Sequence, residues 1–374
     1  MTYNILPGDN RDTLKTLADN SIDAIVTDPP YGIDFLGKAW DANTGALETY
    51  QECLRVLKPG GHILAFSAAR TYHHLAVTLE QAGFEIRDQI MWIYSSGFPK
   101  SQDIGKSIER SENKRKDNAL GIKRSKIESG PKTNCPKCNK TLNGTNQNTC
   151  EESQCDLRDA LAPALNEWAG WGTALKPAHE PIALARKPIK LSIAKNCQKY
   201  GVGALNIDAT RIEREEEQAR FPSNVLGEIP DYQKYFYCPK VSRRERNVGC
   251  IDPGPQFQVP SGFDYRMPSS NNANNGESQI GIVEKNANNG SNNHPTVKPI
   301  ELMKYLIKLI TPPGGVVLDP FNGSGSTGCA AVELGYDYIG CELDPAYIDI
   351  SLKRIEAWNR PNNVFEEFFD DAQA

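Results

Sequence analysis

The sequence predicts an α/β fold: an open, largely parallel sheet with helices packed on it, interrupted by insertions. Three observations carry that expectation. Residues 1–100 alternate short apolar runs with helical stretches. Residues 295–358 repeat the same rhythm. The sequence between them is polar and irregular, so the two blocks are either two domains or one interrupted sheet. Strands that alternate with helices are joined by right-handed crossovers, which makes neighbouring strands parallel.

In the first block, Tyr3–Leu6, Ile22–Thr27, His62–Ser67 and Ile86–Tyr94 read as strands. Arg11–Ala18, Leu47–Leu57 and Arg70–Ala82 read as helices, and Pro59-Gly60-Gly61 stops the second of them. Residues 101–171 form a basic insertion. From Phe98 to Lys126 there are nine Lys/Arg against four Asp/Glu, in a chain of net charge -5. That overall balance argues against a surface that binds polyanions everywhere, but leaves room for a local basic channel. Residues 172–200 regain strand character at His179–Arg186. Residues 201–293 are irregular, and the Asn-rich stretch 269–293 reads as a loop or linker. In the last block, 294–374, a helix at Ile300–Ile310 ends at Pro312-Pro313-Gly314-Gly315. Strand Val316–Leu318, helix Thr327–Leu334, strand Tyr338–Cys341 and helix Ala346–Trp358 follow.

No apolar run approaches the ~18 residues of a membrane span. The N-terminus lacks a basic region followed by an apolar one, so a cytoplasmic protein is expected. Six of the ten cysteines are scattered and read as small apolar residues. Cys135, Cys138, Cys150 and Cys155 are clustered, and the first pair forms a CPKC knuckle. Such a turn lets two thiolates bind one tetrahedral zinc, and a metal would replace the core this polar segment lacks. A structural zinc site is therefore expected, ahead of free thiols in a loop.

Two turns carry chemistry. Asp319-Pro320-Phe321-Asn322-Gly323-Ser324-Gly325-Ser326-Thr327-Gly328 follows a strand and opens a helix. Its glycines permit a tight turn and close approach of a ligand, and the helix N-terminus favours an anionic group. Glu342 ends the next strand, 23 residues after Asp319, where a carboxylate accepts from two ribose hydroxyls. The pair specifies a nucleoside cofactor without saying which; taken alone, a nicotinamide dinucleotide fits. The second turn, Asp28-Pro29-Pro30-Tyr31, follows strand Ile22–Thr27 directly. Two prolines remove two N–H donors and leave carbonyls free to accept. Asp28 adds a carboxylate acceptor and Tyr31 an aromatic plate. Together they suit a planar ring that bears an amino group.

These segments resemble the amino-specific DNA methyltransferases that use S-adenosylmethionine, in the permuted beta-class order and most like phage and prophage members. The resemblance rests on Gly8-Asp9, TDPPYG (Thr27–Gly32), GTALKPAHEPIALARKP (Gly172–Pro188) and NHPTVKP (Asn293–Pro299). LDPFNGSGSTG (Leu318–Gly328) and YIGCELDPAY (Tyr338–Tyr347) complete it. It covers roughly residues 1–100, 172–248 and 294–358, and it displaces the nicotinamide reading.

The resemblance implies a seven-stranded, mostly parallel, doubly wound sheet that the chain enters at its third strand. Asp319, Phe321, Gly323 and Gly325 would line the methionine part of S-adenosylmethionine, Glu342 would hold its ribose, and Asp9 would approach the adenine edge. Thr296 and Lys298 would meet the cofactor carboxylate. Asp28 and the Pro29 carbonyl, stiffened by Pro30, would each accept an N–H from a flipped-out base, with Tyr31 stacked on it. Asp28 would take the proton after transfer. Double-stranded DNA is the expected partner, and monomer and homodimer are both open. Lys240, Arg243, Arg244 and Arg246, with the basic insertion, would meet DNA. An Asp at the first position of the tetrapeptide favours adenine N6, with cytosine N4 as the alternative. RNA and protein glutamine are further substrates to exclude. A non-catalytic, cofactor-binding DNA-binding module is the reading from a different class.

Overall fold

Strand β2 (Ile22–Thr27) is buried along its whole length, as an apolar run in the middle of a sheet must be. The protein is described by a computed structural model over residues 1–33, 41, 43–94, 101–108, 110–111, 133–134, 141–142, 167–168, 170–175, 177–212, 221–227, 241–250 and 292–359. The other strands are β1 (Tyr3–Pro7), β3 (Leu57–Phe66), β4 (Glu85–Ile93), β5 (Thr133–Asn134), β6 (Thr141–Leu142), β7 (His179–Arg186), β8 (Val225–Gly227), β9 (Val316–Asp319) and β10 (Asp337–Glu342). The helices are α1 (Asn10–Thr13), α2 (Leu47–Val56), α3 (Tyr72–Ala82), α4 (Ile193–Tyr200), α5 (Arg243–Asn247), α6 (Ile300–Ile310), α7 (Ser326–Glu333) and α8 (Pro345–Trp358).

The main sheet has eight strands in the order β1-β10-β9-β2-β3-β7-β4-β8. All its pairings are parallel except those of β7, which runs antiparallel between β3 and β4. Helices cover both faces. On one, α6, α7 and α8 pack on Ala24, Val26, Leu64 and Phe66. On the other, α2 and α3 pack on Ile22, Ile25, Ile63 and Ala65. Strand order reverses between β9 and β2, which opens a crevice beyond their carboxyl ends.

The open, doubly wound α/β class holds, with local differences. The sheet has eight strands rather than seven. The extra one is β8, three residues from the region expected to be irregular, paired with Met91–Ile93 at the sheet's edge. Strand β3 begins at Leu57, before Pro59-Gly60-Gly61. Its register on β2 jumps between Ile22–Leu57 and Ala24–His62, and Gly60 at φ +85° absorbs the excess residues. The first helix is one turn, Asn10–Thr13, followed by the 3-10 turn Leu14–Thr16. Helix α4 falls where only sheet-completing sequence was expected.

The chain divides into two compact units, residues 1–96 with 178–374, and residues 97–177. In the second, β5 pairs antiparallel with β6, Asp103 bridges Gly172, and the rings of Trp168 and Trp171 meet edge to face. The cysteines of the expected zinc site, Cys135, Cys138, Cys150 and Cys155, lie outside the described residues. So do Lys240 and all but the last two residues of the Asn-rich stretch. Among the described residues no group of metal-ligating side chains occurs, and no helix is long and apolar enough to cross a membrane.

Leu64 is fully buried on β3, opposite Val26 on one side and Leu184 on the other. Leu64→Ala should cost about 2–5 kcal/mol, since neighbours fixed in a sheet cannot collapse into the cavity. Urea denaturation should show a lower midpoint at unchanged slope.

Candidate active site

The two chemistry-bearing turns leave adjacent parallel strands at the same edge. Ile25 pairs with Leu318, so Thr27 and Asp319 end β2 and β9 side by side. The Thr27 hydroxyl donates to Asp319 Oδ1 at 2.6 Å, and Thr327 Oγ1 donates to Oδ2 at 2.6 Å. The Phe321 N–H also donates to Oδ1 at 3.0 Å. Asp319 is 2% exposed, and burial pushes its carboxyl up to about 6 despite these three donors.

Beyond Asp319 the chain turns through Gly323 at φ +51° and Gly325 at φ +76°. A Cβ on Gly323 would lie 2.9 Å from His294 Nε2, so only glycine fits there. The Gly323 N–H donates to Glu342 Oε2 at 2.7 Å, and the Asp344 N–H donates to Oε1 at 2.9 Å. Burial raises the Glu342 carboxyl. Next to it, the Gly8 N–H donates to the Glu342 carbonyl at 2.8 Å. That bond brings Asp9, the N-cap of α1, alongside Glu342. Arg11 lowers the Asp9 carboxyl through a hydrogen bond. Arg354, fully buried on α8, donates to the Ser324 carbonyl at 2.6 Å and holds the turn from behind. A glycine turn flanked by two carboxylates at strand ends fits a ribose-bearing group by its donor set.

Asp28 and Tyr31 leave β2 into the crevice. Asp41 fixes this turn: its Oδ1 accepts from the Tyr31 N–H at 2.6 Å and the Gly32 N–H at 3.1 Å. Among the described residues none donates to the Pro29 carbonyl. The side chains of Asp28, Glu180 and Lys298 are 17%, 14% and 7% exposed. Lys298 Nζ lies 2.6 Å from Asp28 Oδ2, 3.0 Å from the Tyr31 hydroxyl and 3.4 Å from Glu180 Oε2. The Tyr31 hydroxyl is 2.8 Å from Asp28 Oδ1 and 2.8 Å from Glu180 Oε2. Burial raises the Asp28 carboxyl, Lys298 opposes the rise and Glu180 adds to it. Burial pulls the Lys298 ammonium down, but the two carboxylates outweigh it and hold it above its usual range.

Asp28, Tyr31 and Lys298 thus meet in one cluster, with Asp319, Phe321, Gly323, Gly325, Glu342 and Asp9 along the neighbouring strand ends. Lys298, expected at a cofactor carboxylate, pairs with Asp28. Thr296 uses its backbone on His294: its N–H lies 3.3 Å and its carbonyl 3.1 Å from Nδ1. Burial pulls the His294 imidazole down to about 4, so it is neutral at pH 7. Arg246 donates to the His294 carbonyl and is half-buried. Arg243 and Arg244 contribute backbone to α5.

Glu180, Asp41, Thr27 and Arg354 were not singled out from sequence. Glu180 carried the clearest signal, a carboxylate inside the apolar strand HEPIALAR. Because β7 runs antiparallel, its first residues lie at the carboxyl ends of β3 and β4, with Glu180 opposite Trp92.

A family model for N6 and N4 methyltransferases, described as DNA methylase, matches residues 22–353. The type II methyltransferase M.HindIII of Haemophilus influenzae is 25% identical over 398 residues, 94% of each chain. The DNA adenine methyltransferase YhdJ of Escherichia coli is 45% identical over 64 residues, 17% of this chain and 22% of that one. A crystal structure of M1.HpyAVI with SAM matches at 18% identity and a TM-score of 0.42, covering 94% of this chain and 100% of that one.

The raised Asp319 carboxyl has a pH signature. Its folded value, about 6, lies above the ordinary aspartate value of 3.8. Its contribution is therefore full below about pH 4 and lost as pH rises through about 6. His294 acts in the opposite sense over this window, and Asp319→Asn keeps His294 while removing the carboxyl. Urea unfolding from pH 4 to 7 should show the wild type losing stability relative to Asp319→Asn, on the order of 3 kcal/mol.

Proposed function

The chain belongs to the DNA methylase family, and on that premise we propose that it methylates adenine N6 in double-stranded DNA. Asp28 carries this reading. It stands with Tyr31 at the carboxyl end of β2, beside the glycine turn of β9. Aspartate at the first position of the tetrapeptide favours adenine, and the local similarity to a DNA adenine methyltransferase supports the same choice.

When bound, S-adenosylmethionine supplies an electrophilic methyl group. Glu342 and Asp9 offer carboxylates to its ribose and adenine edge, and Phe321, Gly323 and Gly325 line the turn beside them. The exocyclic nitrogen of adenine is a poor nucleophile because its lone pair is delocalised into the ring. Asp28 and the Pro29 carbonyl each accept one of its N–H bonds, which favours a tetrahedral nitrogen and localises the lone pair. These acceptors are fixed before the base arrives, by Asp41 on the turn and Lys298 on the carboxylate. Asp28 then takes the proton that the methylated nitrogen releases. No thiol takes part. The base reaches this corner only when flipped out of the duplex, and Tyr31 offers it a stacking face. The basic insertion, Lys240, Arg243 and Arg244 serve DNA contact, with a zinc held by Cys135, Cys138, Cys150 and Cys155 bracing the insertion.

Asp28→Ala should lower methyl transfer by roughly a thousandfold or more while largely sparing cofactor affinity measured by calorimetry. Digestion of the wild-type product DNA to nucleosides should yield N6-methyl-2′-deoxyadenosine. N4-methyl-2′-deoxycytidine would replace adenine by cytosine in this account, and transfer that survives Asp28→Ala would contradict the mechanism.

A further inference from the structure

Arg354 is fully buried on α8, and among the described residues no carboxylate pairs with it. Its Nη1 donates to the Ser324 carbonyl at 2.6 Å, to the Ser324 hydroxyl at 3.0 Å and to the Ser326 hydroxyl at 3.4 Å. Its Nε and Nη2 are buried and meet no acceptor. A guanidinium has only donors, so an acceptor must come to it. A buried donor left unmatched costs its full desolvation, and more when it is charged. Arg246 on α5 repeats the pattern. It donates through Nη2 to the His294 carbonyl, no carboxylate pairs with it among the described residues, and its Nε is buried without an acceptor.

The two arginines share one neighbourhood. Their anchoring carbonyls are close, because His294 packs against Gly323 and Ser324 follows Gly323. The chain just past α5 also lies on α8: a Cβ on Gly249 would sit 2.3 Å from the Lys353 carbonyl. Burial pulls the Arg246 guanidinium down, and the charge of Arg354 adds to the fall. Glu245 is a carboxylate that Arg354 acts on, yet it stands outside ion-pair distance of both arginines and accepts from the Ile300 N–H at 2.7 Å. Even when ionised, it offsets only one of the two positive charges. One negative charge is wanting, beside three guanidinium nitrogens that lack an acceptor.

We propose that Arg246 and Arg354 bind one small monovalent anion, chloride, where α5 meets α8 behind the glycine turn. Arg354 Nε and Nη2 and Arg246 Nε donate to it. A single charge matches the one left over, and a halide sheds its water at lower cost than a doubly charged oxyanion. The way in runs along Arg246, which is half-buried where Arg354 is fully buried. Once bound, the ion joins α5 to the turn that Arg354 holds and steadies Gly323–Ser326. Its effect on cofactor affinity rests on the reading of that turn as the cofactor site; the anion site itself does not.

Two measurements test the site and a third its consequence. Wild-type crystals grown without chloride and soaked in bromide should show an anomalous peak within hydrogen-bond reach of Arg246 Nε and Arg354 Nη2. Ordered water alone at that place would overturn the proposal. In solution, thermal unfolding is followed at constant ionic strength while chloride replaces glutamate. Chloride should raise Tm along a saturating curve, and sulfate at the same ionic strength should not. Arg246→Gln should weaken chloride binding about tenfold or more. An equal chloride response in Arg246→Gln, or a bromide peak with no chloride response in solution, would mean an adventitious ion only and would overturn the proposal. S-adenosylmethionine affinity of the wild type should rise about threefold with chloride, and an unchanged affinity would overturn the link to the turn. Scattering and unfolding need neither cofactor nor methyl transfer, so they separate failure of this site from failure of the methyl-transfer reading.

Discussion

The Thr27 hydroxyl donates to Asp319, and that buried bond ties the end of β2 to the end of β9. Everything else at the site is arranged around it. The DPPY turn continues from Thr27, and the glycine turn continues from Asp319. Both strands are parallel and adjacent, so the two turns face one crevice where the strand order reverses. Asp319 accepts from two hydroxyls and one N–H, which compensates a carboxyl taken out of water. A shift of either strand by one residue would move its side chain to the opposite face and separate the turns.

A second coupling runs through the segment before α6. Lys298 pairs with Asp28 in the corner of the DPPY turn. Four residues earlier, His294 packs against Gly323 and the ring of Tyr347, 4.5 Å between centroids. One short stretch of chain thus touches both the DPPY turn and the glycine turn. Arg246 ties the same stretch to α5, and the Glu245 carboxylate accepts from the Ile300 N–H at 2.7 Å. Helix α5, whose arginines were expected to meet DNA, is therefore joined directly to the segment that carries His294 and Lys298.

Much of this was legible in the sequence because local chemistry wrote it there. The strands β2 and β9, the glycine turn, Glu342 and the DPPY corner are each announced by a run of residues with one physical reading. Glu180 and the pairing of Lys298 are different. Their partners lie far off in the chain: Glu180 is 149 residues from Tyr31, and Lys298 is 270 from Asp28. No periodicity or spacing reports such a meeting. The antiparallel insertion of β7 between β3 and β4 brings Glu180 to the crevice, and only the sheet order reveals it. Strand β8 stayed hidden for another reason: three residues are too few to show an alternation.

The central claim is that the glycine turn and the Asp28 corner hold one methyl donor and one amine acceptor face to face. The most direct measurement is a crystal structure with sinefungin, a methyl-donor analogue bearing an amine where the transferable methyl would be. The account predicts the analogue across Gly323–Gly325, its ribose on Glu342 and its amine directed into the corner formed by Asp28 and Pro29. An analogue seated away from that turn, or turned so that its amine faces away from Asp28, would contradict it.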